Sequence, residues 1–339
     1  MPREDVCTSK YQTMLHNKSI LIRRHVLPLG LLIFSLCMQG RLLAQDSTGV
    51  ATKKTGTGTS KPRPVKNTFE SGFLIDDQTV MVPVKGTFEA DIQHRMGTVQ
   101  NGYQDFWGVF GSANIRLGFA YAPIKDLYVG FGVMKDNLTW DGSVKYALLK
   151  QDKQHMPVSV TYYGNMGWKT VADPNHILFT YNTERLSYFN EIMVARKVNE
   201  KLSVQAAISI AHQNSVPGYY SVYDSANKVI YKTQNWNMWA VSVIARYKIT
   251  SKTAIIIDYD QPLSHWPQDN PHPNVAFGFE FNTSGHTFQL FAGNYTLLNP
   301  QLNSLYNANN PFGFKQTDGT KVPGGQFHIG FNISRLWNF

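Results

Sequence analysis

Cysteine is scarce in this 339-residue sequence: the two present, Cys7 and Cys37, both lie near its start, so the body of the chain has no disulfide framework and no thiolate chemistry. Charge is sparse too, at 16% of residues, and the net +9 is scattered rather than gathered into a stripe, which argues against nucleic acid as a partner. No run of about 20 apolar residues occurs, and the mean hydropathy of −0.27 excludes a bundle of membrane-spanning helices. Neither Gly-x-Ser-x-Gly nor His-Glu-x-x-His is present, so no hydrolase signature points to an enzyme. None of these absences excludes a membrane β-barrel, because half of each of its strands is polar.

The first 44 residues have the layout of a secretory signal peptide. Arg23, Arg24 and His25 precede an apolar run from Val26 to Met38, broken by Pro28, and a cut after Ala44 would leave Gln45 as the new N-terminus. Met14 is an alternative start. Leu36 stands where lipoprotein processing at Cys37 requires a small residue, which disfavours a lipid anchor. Removing this segment takes Arg3, Lys10, Lys18, Arg23, Arg24 and Arg41 against Glu4 and Asp5, leaving +5 of the +9. Residues 45–66, rich in Ser, Thr, Gly, Lys and Pro, bury too little apolar surface to offset the entropy of ordering and read as a disordered linker. Residues 67–85 carry Phe69, Phe73, Leu74, Ile75, Val80 and Met81 ahead of Pro83. Two readings stand for them: an extra strand, or a plug inside or beneath a barrel.

From 86 to 339 the chain is a series of strand-length runs. The last is the clearest: Phe327, Ile329, Phe331, Ile333, Arg335, Trp337 and Phe339 alternate with Gln326, His328, Gly330, Asn332, Ser334, Leu336 and Asn338. Runs at 86–95, 106–122, 127–134, 141–150, 156–164, 186–197, 202–213, 238–248, 253–260, 274–282, 286–295 and 325–338 predict about twelve strands. Hairpin-sized turns near 123–126, 151–154, 198–201, 249–252 and 283–285 alternate with longer connections at 96–105, 135–140, 165–185, 214–237, 261–273 and 297–324. A soluble β-sandwich would also alternate along its strands, but its connections would not sort this way. The expected fold is therefore all-β, a transmembrane antiparallel up-and-down barrel with short periplasmic turns, longer extracellular loops and both termini periplasmic. Phe88, Ala90 and Ile92 should face lipid and Thr87, Glu89, Asp91, Gln93 and Arg95 the lumen; Trp107, Val109, Ile115, Leu117, Phe119 and Tyr121 oppose Ser112, Asn114, Arg116 and Gly118; Leu202, Val204, Ala206, Ile208 and Ile210 oppose Ser203, Gln205, Ala207 and Ser209; Val275, Phe277, Phe279 and Phe281 oppose Gly278 and Glu280. Run 186–197 stays ambiguous, because Asn190 and Glu191 break both faces.

Several motifs add a resemblance. Ile92-Gln93-His94-Arg95-Met96-Gly97, Asp141-Gly142 with Lys145-Tyr146, Gln151, and Gly285-His286-Thr287-Phe288-Gln289-Leu290 with Asn294 resemble an uncharacterised Gram-negative outer-membrane β-barrel family, over about Phe69 to Phe339. The resemblance implies fold and location, and no activity. Its motif candidates are His94, Arg95, Gly97, Asp141, Gly142, Lys145, Gly285, His286 and Gln289.

The lumen charge candidates are Glu89, Asp91, Arg95, Arg116, Lys145, Arg246, Asp258, Asp260 and Glu280. Opposed clusters would impose a transverse field that selects small polar solutes. The near balance of signs favours instead a salt-bridged interior with no open path. His265 and His272, in a Pro-broken loop, match no ligand pattern, and no metal or cofactor is expected. His94, His212 and His286 read as ring packing at strand ends. Asp141 and His155 would have to meet across strands to act as a hydrolytic pair. Aromatics near strand ends, Trp107, Tyr121 and Trp337 among them, read as an interfacial girdle. Tyr219, Tyr220, Tyr223, Tyr231 and Trp236 could instead stack on sugars or on a partner. The expected function is porin-like or partner-gated passage of small polar solutes in the outer membrane, with a non-conducting envelope scaffold or secretion partner as the alternative and a barrel-embedded hydrolase behind both. The expected partners are outer-membrane lipid, the barrel-assembly machinery and an envelope protein. Trp337 and Phe339 resemble the C-terminal signal read by that machinery; deleting residues 337–339 should deplete heat-modifiable barrel from the outer-membrane fraction, and undiminished barrel there would refute the assignment.

Overall fold

A pleated strand of period two sorts its side chains onto two faces, and closing such strands on one another leaves no unpaired edge. The computed structural model describes residues 64–66, 68–216, 218–221, 230–233, 235–265, 271–303, 306–307, 309–310, 314–315, 319, 321–322 and 326–338. The chain divides into two units, residues 1–60 and 61–339, and only the second contains described residues. The expected signal peptide, most of the linker, Tyr223, the centre of the 264–273 loop and Phe339 lie outside them.

Twelve antiparallel strands form a closed barrel. They are β1 (Thr87–Thr98), β2 (Asn114–Tyr121), β3 (Leu127–Met134), β4 (Thr139–Leu149), β5 (Ser159–Lys169), β6 (Leu186–Lys197), β7 (Leu202–Gln213), β8 (Asn237–Lys248), β9 (Thr253–Pro262), β10 (Asn274–Asn282), β11 (His286–Gly293) and β12 (His328–Asn338). Each pairs with its neighbours in sequence, and β12 closes on β1 with Ile333 opposite Ile92 and Trp337 opposite Phe88. Among the described residues no helix is long and apolar enough to cross a membrane. Short pairings of Gly218–Ser221 with Ile230–Thr233 and of Phe314–Lys315 with Lys321–Val322 add two hairpins in the longer connections.

Two expectations need correction. The second strand begins at Asn114, not at 106, because residues 99–105 form a 3-10 turn and Phe106 and Trp107 adopt left-handed backbone. Asp105 fixes that turn by accepting from the Gly108 N–H at 2.9 Å and the Asn101 side chain at 2.9 Å. The alternating Trp107 and Val109 therefore belong to an exposed loop cluster, where Trp107 packs edge-on to Phe106 and Tyr103. Connection lengths also fail to alternate throughout: 135–138 joins β3 to β4 tightly, whereas 150–158 joins β4 to β5 by a longer path. A 3-10 turn at Asp136–Leu138 replaces the expected loop.

Side-chain facing resolves the ambiguous strand. In β6, Ser187, Phe189, Glu191, Met193 and Ala195 point inward and are buried. Asn190 faces outward and accepts from the Tyr162 hydroxyl at 2.6 Å, so its amide is partnered on the apolar side. Leu117, Phe119, Ile208, Phe277 and Leu290 are exposed on the outer surface. The interior holds an apolar cluster in which Phe69, Leu74, Ile75 and Val80 pack against Met193, Ala207, Ile244, Ile256, Ala276 and Phe291. Residues 69–81 thus lie inside the barrel as a plug, and no thirteenth wall strand forms.

One cross-strand row shows how tightly the wall is fitted. Gly278, Phe291, Gly330 and Arg95 are successive partners across β10, β11, β12 and β1. Missing side chains on both flanks let the Phe291 ring lie across the wall, with the Arg95 guanidinium 4.6 Å from its centroid. A Cβ at Gly278 would collide with the Leu290 carbonyl oxygen and with Cβ of Phe291. Gly278→Val should therefore destabilise the folded barrel by about 1–3 kcal/mol, read as a lower temperature at which the compact band is lost on heating in detergent.

Candidate functional site

Inside a closed barrel the wall strands have no free backbone groups to offer, so a segment in the lumen needs side-chain partners for its own N–H and C=O groups. The strap 69–81 makes a tight hairpin, Phe73–Leu74 against Asp77–Gln78, with Ile75 left-handed at the turn. Gln289 of β11 treats this hairpin as a neighbouring strand would: its Oε1 accepts from the Ile75 N–H at 2.9 Å and its Nε2 donates to the Phe73 carbonyl at 3.1 Å. Gln205 of β7 does the same on the other side, accepting from the Val80 N–H at 2.9 Å and donating to the Gln78 carbonyl at 2.7 Å. Arg95 and Asn332 donate to the Ile75 carbonyl at 3.2 and 2.6 Å, Thr161 to that of Val80 at 3.2 Å, and Lys145 to that of Gly72 at 2.6 Å.

The motif residues divide by this geometry. Arg95, Lys145 and Gln289 hold the strap. Asp141 faces inward, receiving Arg116 and the Asn165 amide at 2.9 Å. His94 stacks on Phe331 at 4.9 Å between centroids and His286 on Phe288 at 5.8 Å, while His212 is tilted against Tyr188 at 6.1 Å. Gly142 and Gly285 have open space where a side chain would stand, and Gly97 packs closely against the backbone of Gly108 and Gly111. Asp141 and His155 do not meet: His155 lies in the β4–β5 connection, 4.0 Å from Asp152. There, outside the strands, backbone N–H groups of His155 and Gln154 hold the Asp152 carboxyl below its usual range.

All nine lumen charge candidates face the interior, but they do not form one salt-bridged network. Arg116 joins Asp91 at 3.3 Å and Asp141 at 2.8 Å. Arg246 meets Glu280 at 2.7 Å and Glu70 of the strap at 3.8 Å. Glu89 accepts a hydrogen bond from Tyr128. Asp258 and Asp260 instead collect with Asp76 of the strap turn. Gln205 and Asn332 stand on the polar faces that alternation predicts, whereas Asp76, Asp77, Glu70, Glu191 and the segment Leu298–Asn303 were not singled out by sequence reasoning as lumen residues. Loop residue Gln301 donates to the Asn165 side chain at 2.6 Å and Asn303 hydrogen-bonds to Asp76, so the β11–β12 connection enters the lumen. The available signal was the apolar character of both faces of β9, where Ile256 faces inward between Ile255 and Ile257.

Space remains beside the strap. One small cavity is lined by Asp76, Asp77, Glu191, Asp260, Asn303 and Pro300, toward the loop end. A second small cavity is lined by Gly72, Glu89, Tyr128, Ser143 and Lys145, toward the turn end. Gln78, Gln93, Arg116 and Tyr163 line both. The two cavities are therefore neighbours, separated by a polar partition whose cation is Arg116.

The model of the family described as "Membrane bound beta barrel domain (DUF5777)" matches residues 69–337. No curated protein matches the chain. Among solved structures, the NanC porin is similar over 74% of this chain and 99% of its own at 10% identity and a TM-score of 0.41. An outer membrane channel from Pseudomonas putida F1, described as COG4313, covers 76% and 97% at 12% identity and 0.41, and the KdgM porin 74% and 99% at 7% and 0.38.

Arg116 neutralises two buried carboxylates at once, and removing it strands both. Arg116→Met should destabilise the barrel by about 3–5 kcal/mol, measured by urea unfolding in lipid vesicles; a change below 1 kcal/mol, within the range of exposed ion pairs, would show that the triad is well hydrated.

Proposed function

The chain belongs to the family of membrane-bound β-barrel domains, and from that premise we propose that it is a gated outer-membrane conduit for small polar solutes, closed by its own strap. The observation that carries this reading is the pair of small polar cavities beside the strap, one toward the loop end and one toward the turn end, with Arg116 lining both. Charges of both signs line the route, which suits small polar or zwitterionic solutes better than hydrocarbons. The strap's polar contacts with the wall are side-chain hydrogen bonds that water can replace, and no wall strand pairs with it, so its displacement widens the route without unfolding the wall.

Orientation follows in the same reading. Pro64 pairs with Asp152, and Val65 N–H donates to the Gln151 carbonyl at 2.7 Å, so the strap enters at the turn end. The end of β12 lies beside the start of β1 at that same end. With short turns periplasmic, both ends of the barrel domain face the periplasm, where an envelope partner could reach the strap. A second reading, a non-conducting scaffold, is favoured by the exposed aromatic group of Tyr103, Phe106, Trp107 and Phe110 on the first long connection, a surface suited to a protein partner.

The Ser71 and Ser334 hydroxyl oxygens lie 3.4 Å apart, strap against β12, so two sulfurs in their place need close by only about 1.4 Å to bond. A Ser71→Cys/Ser334→Cys protein in planar bilayers should stay closed when oxidised and conduct after reduction, while a chain lacking residues 69–81 conducts throughout. No conductance from the reduced or shortened protein would overturn the conduit and leave the scaffold.

A further inference from the structure

The lumen's acids fall into two kinds. Asp91, Asp141, Glu280 and Glu70 each sit against Arg116 or Arg246, and Glu89 accepts from Tyr128. Asp76, Asp77, Asp258, Asp260 and Glu191 form no ion pair among the described residues. Asp76, Asp258 and Asp260 each present a carboxylate oxygen, and these three oxygens lie within 4.8 Å of one another. Asp258 and Asp260 are two apart on β9, which puts both on its inward face, and Asp76 comes from the strap turn opposite.

Unpartnered atoms independently point to a missing cation. Asp258 is fully buried, yet its Oδ1 has no hydrogen-bond partner. Glu191 is 3% exposed with Oε2 unpartnered, and it lines the same cavity as Asp76, Asp77 and Asp260. Arg95 and Lys145 lend these acids their field but no direct contact: the hydrogen bonds of Arg95 go to the Ile75 and His94 carbonyls and to Asn332, and that of Lys145 to the Gly72 carbonyl. The neighbouring neutral groups orient the carboxylates: the Tyr295 hydroxyl lies between Asp76 and Asp258 (the latter at 3.0 Å) with one proton to give to either, and the Asn274 amide donates to Asp260 at 3.0 Å. Buried anions gathered at this density are costly unless a cation compensates them.

We propose that Asp76, Asp258 and Asp260 bind one calcium ion, which clamps the strap to β9. The donor set is all oxygen and mostly anionic, which suits a hard cation. Three oxygens already within 4.8 Å of one another need only small shifts to converge on one ion, and calcium, with its flexible geometry and about six to eight ligands, accepts such a set more readily than magnesium, which demands a near-ideal octahedron and prefers to retain its waters. Because one ligand belongs to the strap and two to the wall, occupancy holds the plug in place and removal of the ion frees it. That gating consequence rests on the conduit reading above; the site itself rests only on where the strap lies.

The test uses the full chain folded in detergent, titrated with calcium chloride by calorimetry, with hydrogen exchange of residues 69–81 followed by mass spectrometry in calcium and in EDTA. One calcium should bind per chain, and Asp76→Asn or Asp258→Asn should weaken it by about tenfold or more. Exchange of the strap should quicken at least about tenfold in EDTA for the native chain and ignore calcium in the variants. No binding up to millimolar calcium, or variants that bind as the native chain does, would overturn the site. Asp76→Asn lies outside the wall, so it keeps the test informative if Asp258→Asn fails to fold. Calcium binding without conductance sinks the conduit and leaves the clamp; conductance without binding does the reverse.

Discussion

Closing twelve strands into a barrel uses the wall's backbone hydrogen bonds completely, and a segment placed inside must therefore be met by side chains. A buried N–H or C=O left without a partner costs about 1–3 kcal/mol. Gln289 and Gln205 satisfy this condition because an amide offers a donor and an acceptor at the spacing of a peptide group, so each reproduces a rung of ladder with the strap. Arg95, Asn332, Thr161 and Lys145 complete the set at carbonyls the glutamines do not reach. The location of the strap, the inward polar residues and the shape of the remaining space all follow from that condition.

The strap also explains why part of the inner wall is apolar. Met193, Ile244, Ile256 and Phe291 would face water in an open pore, and here they cover Leu74, Ile75 and Val80. The space left beside this packing is polar: Glu89, Gln93, Arg116, Asp141 and Lys145 of β1, β2 and β4 line the cavities, and Glu191, Ser209, Ser242 and Asp260 of β6 to β9 line the one toward the loop end. The incoming residues Leu298–Asn303 narrow that space at the loop end.

Much of this architecture was legible because alternation is a direct readout of a two-sided environment. The limits of β6, β7 and β10 fall where the sequence predicts them, as does the pairing of β12 with β1. Alternation misled at Trp107 and Val109, where apolar residues at every second place belong to a loop turned by left-handed residues. It was silent in β6 because Asn190 is partnered locally by Tyr162 on the outer face, so a polar residue there carries little information about direction. The carboxylate group was not legible at all: Asp76 reaches Asp258 and Asp260 only through a strap fold, and nothing in local spacing encodes a contact across 182 residues of chain between Asp76 and Asp258. Gln289 and Lys145 stood in recognisable motifs, but their work on the strap backbone emerges only when the strap is in place.

The balance of forces on the strap decides what kind of plug it is. Each hydrogen bond from the wall contributes about 0.5–1.5 kcal/mol net, because water competes for the same groups. Burying an aliphatic side chain contributes about 1.5–3 kcal/mol, and water offers no substitute for it. Leu74, Ile75 and Val80 therefore set how firmly the strap stays, while the amides and guanidinium set where it sits. Moving it out of place would hydrate the polar partners at little net cost but expose those three side chains together with Ile244, Ile256 and Met193. The strap is consequently bistable in principle only if something offsets that apolar exposure. An ion that leaves Asp76 facing Asp258 and Asp260 supplies such a term, since carboxylates brought together without a cation repel one another directly across the strap–wall contact.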